Sequence, residues 1–160
     1  MKELKKFAPF VALAMAVVVF IMAFLPGVTV TLLGQTSTIT GLKLAFGGFG
    51  GNLGDSGFVF VNFLAYFGPL LAAIAIAVLI GLKKNKGLVK LVLGVVLALL
   101  FLLSIIFLAM VAKNAWIGAA GATLAKAGYK LAAGSIIGIV ASVIGLLASG
   151  FDVVMQVLKK

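Results

Sequence analysis

Apolar positions in this chain gather into four long runs, Phe7 to Leu25, Phe58 to Leu82, Leu91 to Ala112 and Leu131 to Val157. An α-helix rises about 1.5 Å per residue, so ~20 such residues cross a hydrocarbon core of ~30 Å with every backbone polar group bonded inside its own segment. The runs therefore predict four transmembrane helices. Pro9 sits near the start of the first, where a missing N–H is least costly, and Pro26-Gly27 ends it. Beyond Gly27 the period changes to two: Val28-Thr29-Val30-Thr31-Leu32 alternates apolar and polar, Gly34-Gln35 offers a tight turn, and Thr36-Ser37-Thr38-Ile39-Thr40 alternates again. β-Branched residues crowd both segments, so a β-hairpin is expected, extendable through Leu42 and Leu44. A lone hairpin is marginal in water and should pack on the outer helix ends or on another chain.

The glycine-rich stretch from Gly47 to Gly57 lacks both the Lys-Ser/Thr pair of a phosphate loop and the spacing of a dinucleotide-binding turn, which leaves a flexible connector. Asp55 or Ser56 at its end suits the N-cap of the second span. Pro69 within that span predicts a kink, read either as plain helix packing or as a broken helix lining a substrate site. Lys83-Lys84-Asn85-Lys86-Gly87 is a tight turn that makes spans two and three antiparallel neighbours. Span three is rich in leucine, with Ser104 as its interior hydroxyl, so much of its surface should face lipid. Span four carries Gly134, Gly138, Ala141, Ser142, Gly145 and Ser149 at helical spacing, a stripe that lets another backbone approach closely. The stripe faces either span one, through Ala12 and Ala16, or another subunit. In the second outer loop, Trp116 and Tyr129 are expected as interface anchors, with a short surface helix over Ala119 to Ala127.

Charge supplies the orientation. Lysines precede span one (Lys2, Lys5, Lys6), separate spans two and three (Lys83, Lys84, Lys86, Lys90) and follow span four (Lys159, Lys160), whereas the opposite loops hold Lys43, Lys113, Lys126 and Lys130. Cytoplasmic loops carry the excess of cations, so both termini are expected in the cytoplasm of a multi-pass plasma-membrane protein. The lysines flank spans instead of covering one soluble face with interleaved aromatics, which argues against nucleic acid despite a net charge of +10 and favours anionic lipid headgroups as partners. A basic start followed by an apolar run resembles a signal peptide, but this run exceeds the ~7 to 15 residues of an h-region and Met22 to Pro26 offers no small-x-small cleavage site, so an uncleaved span is expected. The composition, 64% hydrophobic with a mean hydropathy of +1.36, fits the same class.

Candidate chemistry is sparse. The chain has no Cys or His, and its three acids are Glu3, Asp55 and Asp152. No paired carboxylates, metal-ligand cluster or nucleophile with a nearby base can be assembled, so neither a cofactor nor catalysis is expected. Asp152, with Gln156 one turn later, reads either as the lining of a polar entrance or proton site, or as an interfacial acid paired with Lys86, Lys90 or Lys5. Asn62 and Tyr66, four residues apart, form a polar spot near the outer leaflet or bond between helices.

Four spans, cytoplasmic termini, a β-forming first outer loop and a shorter second one resemble the claudin class in topology. Gly51-Asn52-Leu53 is similar to the start of that family's first-loop element, with Gly54 where claudins have Trp and without their two cysteines. Phe24-Leu25-Pro26-Gly27-Val28-Thr29-Val30 and Gly41-Leu42-Lys43-Leu44-Ala45-Phe46-Gly47 are also similar to small uncharacterised four-helix membrane proteins of Gram-positive bacteria. These resemblances imply location without an activity. The expectation is an all-α membrane protein, one domain over 1–160, built as a four-transmembrane-helix bundle (7–25, 58–82, 91–112, 131–157) with outer loops 26–57 and 113–130, a cytoplasmic loop 83–90 and a small extracellular β-hairpin between helices 1 and 2. Its expected role is non-enzymatic, as a structural, assembly or interaction subunit whose hairpin and glycine-rich loop meet another membrane protein or a second copy. The alternative is a small channel, holin-like pore or transporter subunit.

Overall fold

The computed structural model describes residues 2–51, 54–82, 87–118 and 121–158, and the Lys83 to Lys86 turn lies outside them. The chain is mostly helical: α1 (Lys2–Met22), β1 (Pro26–Leu32), β2 (Gln35–Thr40), α2 (Gly41–Phe46), α3 (Phe60–Gly81), α4 (Gly87–Ala109), α5 (Val111–Asn114), β3 (Trp116–Ile117), β4 (Ala122–Thr123), β5 (Lys130–Leu131) and α6 (Ala133–Val157). The four long helices run up and down. α1 packs on α3 and α6, and α4 packs on α3 and α6, which closes a ring of four neighbours. Both strand-bearing loops lie at one end of this bundle.

Three of these helices, over Phe60–Leu79, Gly87–Ala109 and Ala133–Val157, are long and apolar enough to cross a membrane; the apolar part of α1, Phe7–Met22, is shorter. The bonds Ala23 N to Phe20 O, Phe24 N to Ile21 O and Leu25 N to Met22 O, at 3.0, 3.1 and 3.2 Å, carry the helical path on as a tighter turn to Pro26. α3 continues through Pro69 from end to end.

Side-chain placement inverts that of a water-soluble bundle. Large apolar residues point outward, among them Leu88, Val92, Leu99, Leu102, Val140 and Leu147, while Asn62, Ser104, Ser135, Ser142 and Ser149 are buried. A surface this apolar would be aggregation-prone in water and suits lipid. The interior holds two clusters. One lies beneath the sheet around Val28, Leu44, Tyr66, Leu108 and Leu124; the other lies between the helices around Ala12, Ala16, Val19, Leu97, Phe101 and Ala141.

Several local expectations are corrected. β1 and β2 pair antiparallel, but the chain turns at Leu33-Gly34 and not at Gly34-Gln35, with φ of 50° and 80°. Positive φ at both central residues matches the right-handed strand twist, and Gly34 adopts it without steric cost. The hairpin also gains a third strand, because β5 pairs with β1 and orders the sheet β2-β1-β5. It does not run on through Leu42 and Leu44, which belong to α2, where Leu44 is buried. α2 forms because the Thr40 side chain accepts from Lys43 N and an apolar face is available beneath the sheet. In the second loop, β3 pairs with β4 and turns follow to Gly128, where a helix over Ala119 to Ala127 was expected; Ala119 and Ala120 lie outside the described residues.

The α6 stripe generates a stability prediction. A Cβ on Gly145 would be driven into the ring of Phe101 on α4, whereas one on Gly150 would meet nothing. Gly145→Ala is expected to lower stability by about 1–3 kcal/mol through overpacking, with Gly150→Ala near neutral. Unfolding of both variants in mixed detergent micelles, followed by circular dichroism, checks the difference.

Candidate functional site

The end of the molecule that carries the sheet is built from the ends of all four long helices. Gly41 N bonds Leu25 O at 3.1 Å and Leu42 N bonds Ala23 O at 2.6 Å, tying α2 to the end of α1. Ala132 N donates to Gly27 O at 2.9 Å, so the start of α6 pins the start of β1. Polar side chains complete the clamp. Asn62 on α3, fully buried, donates from Nδ2 to Leu44 O at 3.0 Å and accepts at Oδ1 from Asn114 Nδ2 at 3.2 Å. Tyr66, one turn deeper and fully buried, shares a 2.9 Å hydroxyl bond with Ser135 Oγ on α6. Both side chains are thus consumed by bonds between elements. Neither the Asn62–Asn114 nor the Tyr66–Ser135 pairing is legible in the sequence, because each spans more than fifty residues and no local pattern announces it.

The glycine-rich loop is an anchored structure and not a loose connector. Asp55, expected at a helix N-cap, lies ahead of α3, which starts at Phe60. Its carboxylate instead accepts from Phe49 N and Gly50 N at Oδ2 and from Gly57 N at Oδ1, each at 2.8 Å. The Gly50 N–H does most to hold this carboxyl below its ordinary value; partial burial pushes the other way, and the N–H groups of Gly57, Phe49 and Gly48 add to the lowering. Gly118 N to Gly54 O at 3.0 Å and Ser56 N to Trp116 O at 3.1 Å then stitch the first outer loop to the second.

On this base one face of the hairpin packs inward through Val28 and Ile39 while its tip and the β2 edge are exposed. Gln35 to Thr38 of β2 are exposed, Ile39 turns inward, and Leu32 and Leu33 at the tip are exposed. In a two-residue hairpin the residues flanking the loop exchange both backbone bonds and the next pair exchanges none. Leu32 and Gln35 are the flanking pair, and the closer non-bonded pair brings Thr31 Oγ1 within 3.3 Å of Thr36 Oγ1. Gln35 and Ser37 therefore direct their N–H groups to β1. Thr36 and Thr38 direct theirs away from it, along the outer edge.

The remaining singled-out residues lie elsewhere. Gly134, Gly138, Ala141, Ser142, Gly145 and Ser149 are all buried on α6, where Gly134 lies against Met22, Leu25 and Pro26, Gly138 against Leu108 and Gly145 against Phe101 of α4. Trp116 is in β3 with its ring partly exposed, and Tyr129 is half-buried beside the outer cluster. Asp152 and Gln156 sit at the far end of α6, where Gln156 Nε2 donates to Asp152 Oδ2 at 2.6 Å. Among the described residues Asp152 forms no ion pair, and the side chains of Lys5 and Lys86 lie outside them. No group of three or more metal-ligating side chains comes together among the described residues.

A carboxyl with a lowered native pKa contributes stability that is present above its unfolded value, here 3.8, and is lost as pH falls through the native one. Acidification below about pH 3.8 is therefore expected to loosen the 47–57 loop before the helices unfold. Asp55→Asn should show the loosened loop already at neutral pH. Hydrogen exchange of the loop amides against those of α4 measures both. Comparison of the chain with protein-family models, with curated proteins and with solved structures finds no match.

Proposed function

We propose that this protein is a non-enzymatic, four-span plasma-membrane protein with cytoplasmic termini that acts as an interaction or assembly subunit, presenting the outer edge of β2 to an extended segment of a neighbouring protein or of a second copy. The observation that carries the reading is the exposed β2 edge, whose Thr36 and Thr38 N–H groups point away from β1 on a sheet tied to the end of α1 and the start of α6. Soluble proteins usually blunt such an edge with charge, proline or a bulge, whereas Gln35-Thr36-Ser37-Thr38 carries none of these along its exposed length. A strand added there gains main-chain hydrogen bonds on a platform that is already ordered, so little of the binding energy is lost to folding. The four-span topology is supported by the helical path through Leu25, which lengthens α1, and by the burial of Ala12, Ala16 and Val19 among the other helices. The lysine distribution supports placing the sheet outside.

A pore or transporter subunit draws less support, because the hydroxyls that would line a wet path bond to backbone. Ser104 Oγ donates to Ala65 O at 2.7 Å, and Ser142 and Ser149 donate to Gly138 O and Gly145 O at 2.8 Å. Reconstituted liposomes are accordingly expected to show no ion flux above protein-free vesicles; robust flux abolished by Asp152→Ala would replace the interaction reading with a channel.

Proline at position 38 removes an N–H that β1 does not use, so Thr38→Pro should leave the hairpin formed while blocking strand addition at the edge. With a photo-cross-linker at Ser37 in native membranes, a discrete adduct is expected from the otherwise unmodified chain and at least a fivefold loss in Thr38→Pro. An adduct of unchanged yield, or none from either chain, counts against the proposal.

A further inference from the structure

At the end of the bundle away from the sheet, the helices part to leave a cavity of about 140 Å³. Pro9, Phe10, Ala12 and Leu13 of α1, Ile76 of α3, Gly94 and Leu97 of α4, and Ser149 of α6 line it, and Lys90 and Asp152 join them. Its wall is almost wholly hydrocarbon, yet one cation and one anion share it, and no ion pair joins them among the described residues. Lys90 lies in the first turn of α4 and Asp152 in the last turns of α6, so both belong to the membrane-surface end of the cavity. Asp152 is braced by Gln156 at 2.6 Å. Ser149, one turn deeper, bonds to its own helix and leaves no orphan hydroxyl inside.

An apolar chamber with one cation and one anion at its mouth matches one class of amphiphile closely. We propose that this cavity seats a short segment of one acyl chain of a phospholipid whose headgroup carries both a phosphate and a primary ammonium, with the phosphate at Lys90 and the ammonium at Asp152. A fatty acid or a purely anionic headgroup would satisfy Lys90 and be repelled by Asp152; a simple cationic amphiphile meets the reverse conflict. Only a zwitterion answers both charges. The site differs from general attraction of anionic lipid to the lysine clusters, which is delocalised and carries no such selectivity. It rests on the membrane placement of the bundle and is independent of the β2 edge.

The test uses the full chain in detergent, delipidated and then titrated with dioleoyl phosphatidylethanolamine or dioleoyl phosphatidylglycerol, with bound lipid counted by native mass spectrometry. The intact protein should retain the ethanolamine lipid over the glycerol lipid by roughly fivefold, the upper size of a part-exposed charge pair. Asp152→Asn should erase that ratio, and Lys90→Gln should weaken both lipids. Leu13→Trp, which fills the chamber, should abolish retention of both. Because the ratio is read on the lipid-bound population, partial misfolding of a variant cannot mimic its loss. Equal retention by the intact protein, preference for the glycerol lipid, an unchanged ratio in Asp152→Asn, or undiminished binding in Leu13→Trp would each overturn the assignment.

Discussion

The close approach of α6 to the end of α1 decides the rest of the architecture. A Cβ on Gly134 would lie 2.7 Å from Pro26 O, closer than side-chain carbons come to backbone, and 3.0 Å from Met22 O, a tight contact. With glycine there, the first turn of α6 lies against the backbone where α1 gives way to β1. Ala132 N can then reach Gly27 O, and Lys130-Leu131 can lie alongside Val28-Thr29 as a third strand. An isolated hairpin is marginal, and this added strand with the helix ends beneath it supplies the support that a hairpin needs. The outer sheet is therefore a consequence of a helix-packing seam.

The same seam explains the polar interior. Where helices approach through Gly, Ala and Ser in a water-free interior, the hydroxyls left inside must find backbone carbonyls or one another. Ser142 and Ser149 bond within α6, Ser104 reaches across to α3, and Tyr66 meets Ser135. Large apolar residues are displaced to the outside, where lipid and not water is the compatible solvent. At the opposite end, Pro9 and Phe10 of α1 line the cavity beneath Lys90 and Asp152.

Periodicity and composition determined the long apolar helices, the pair of β-branched strands after Pro26 and the small-residue stripe of α6, because each is written in neighbouring residues and expresses a local geometric repeat. Lysine placement likewise set the expected orientation without any tertiary information. What the fold alone decided are contacts between residues distant in sequence. Lys130-Leu131 is too short to show a strand period and becomes one only beside β1. Asp55 looked like a helix cap because caps and loop clamps draw on the same residue types; only the folded loop shows which N–H groups converge on it. Leu42 and Leu44 alternate as a strand would, yet the Thr40 cap and the burial of Leu44 beneath the sheet place both in a helix. The sequence allows Asp152 an ion pair with Lys86, Lys90 or Lys5, but whether two opposite charges touch or frame a cavity depends on how far apart packing holds their helices, a distance no single stretch of chain encodes.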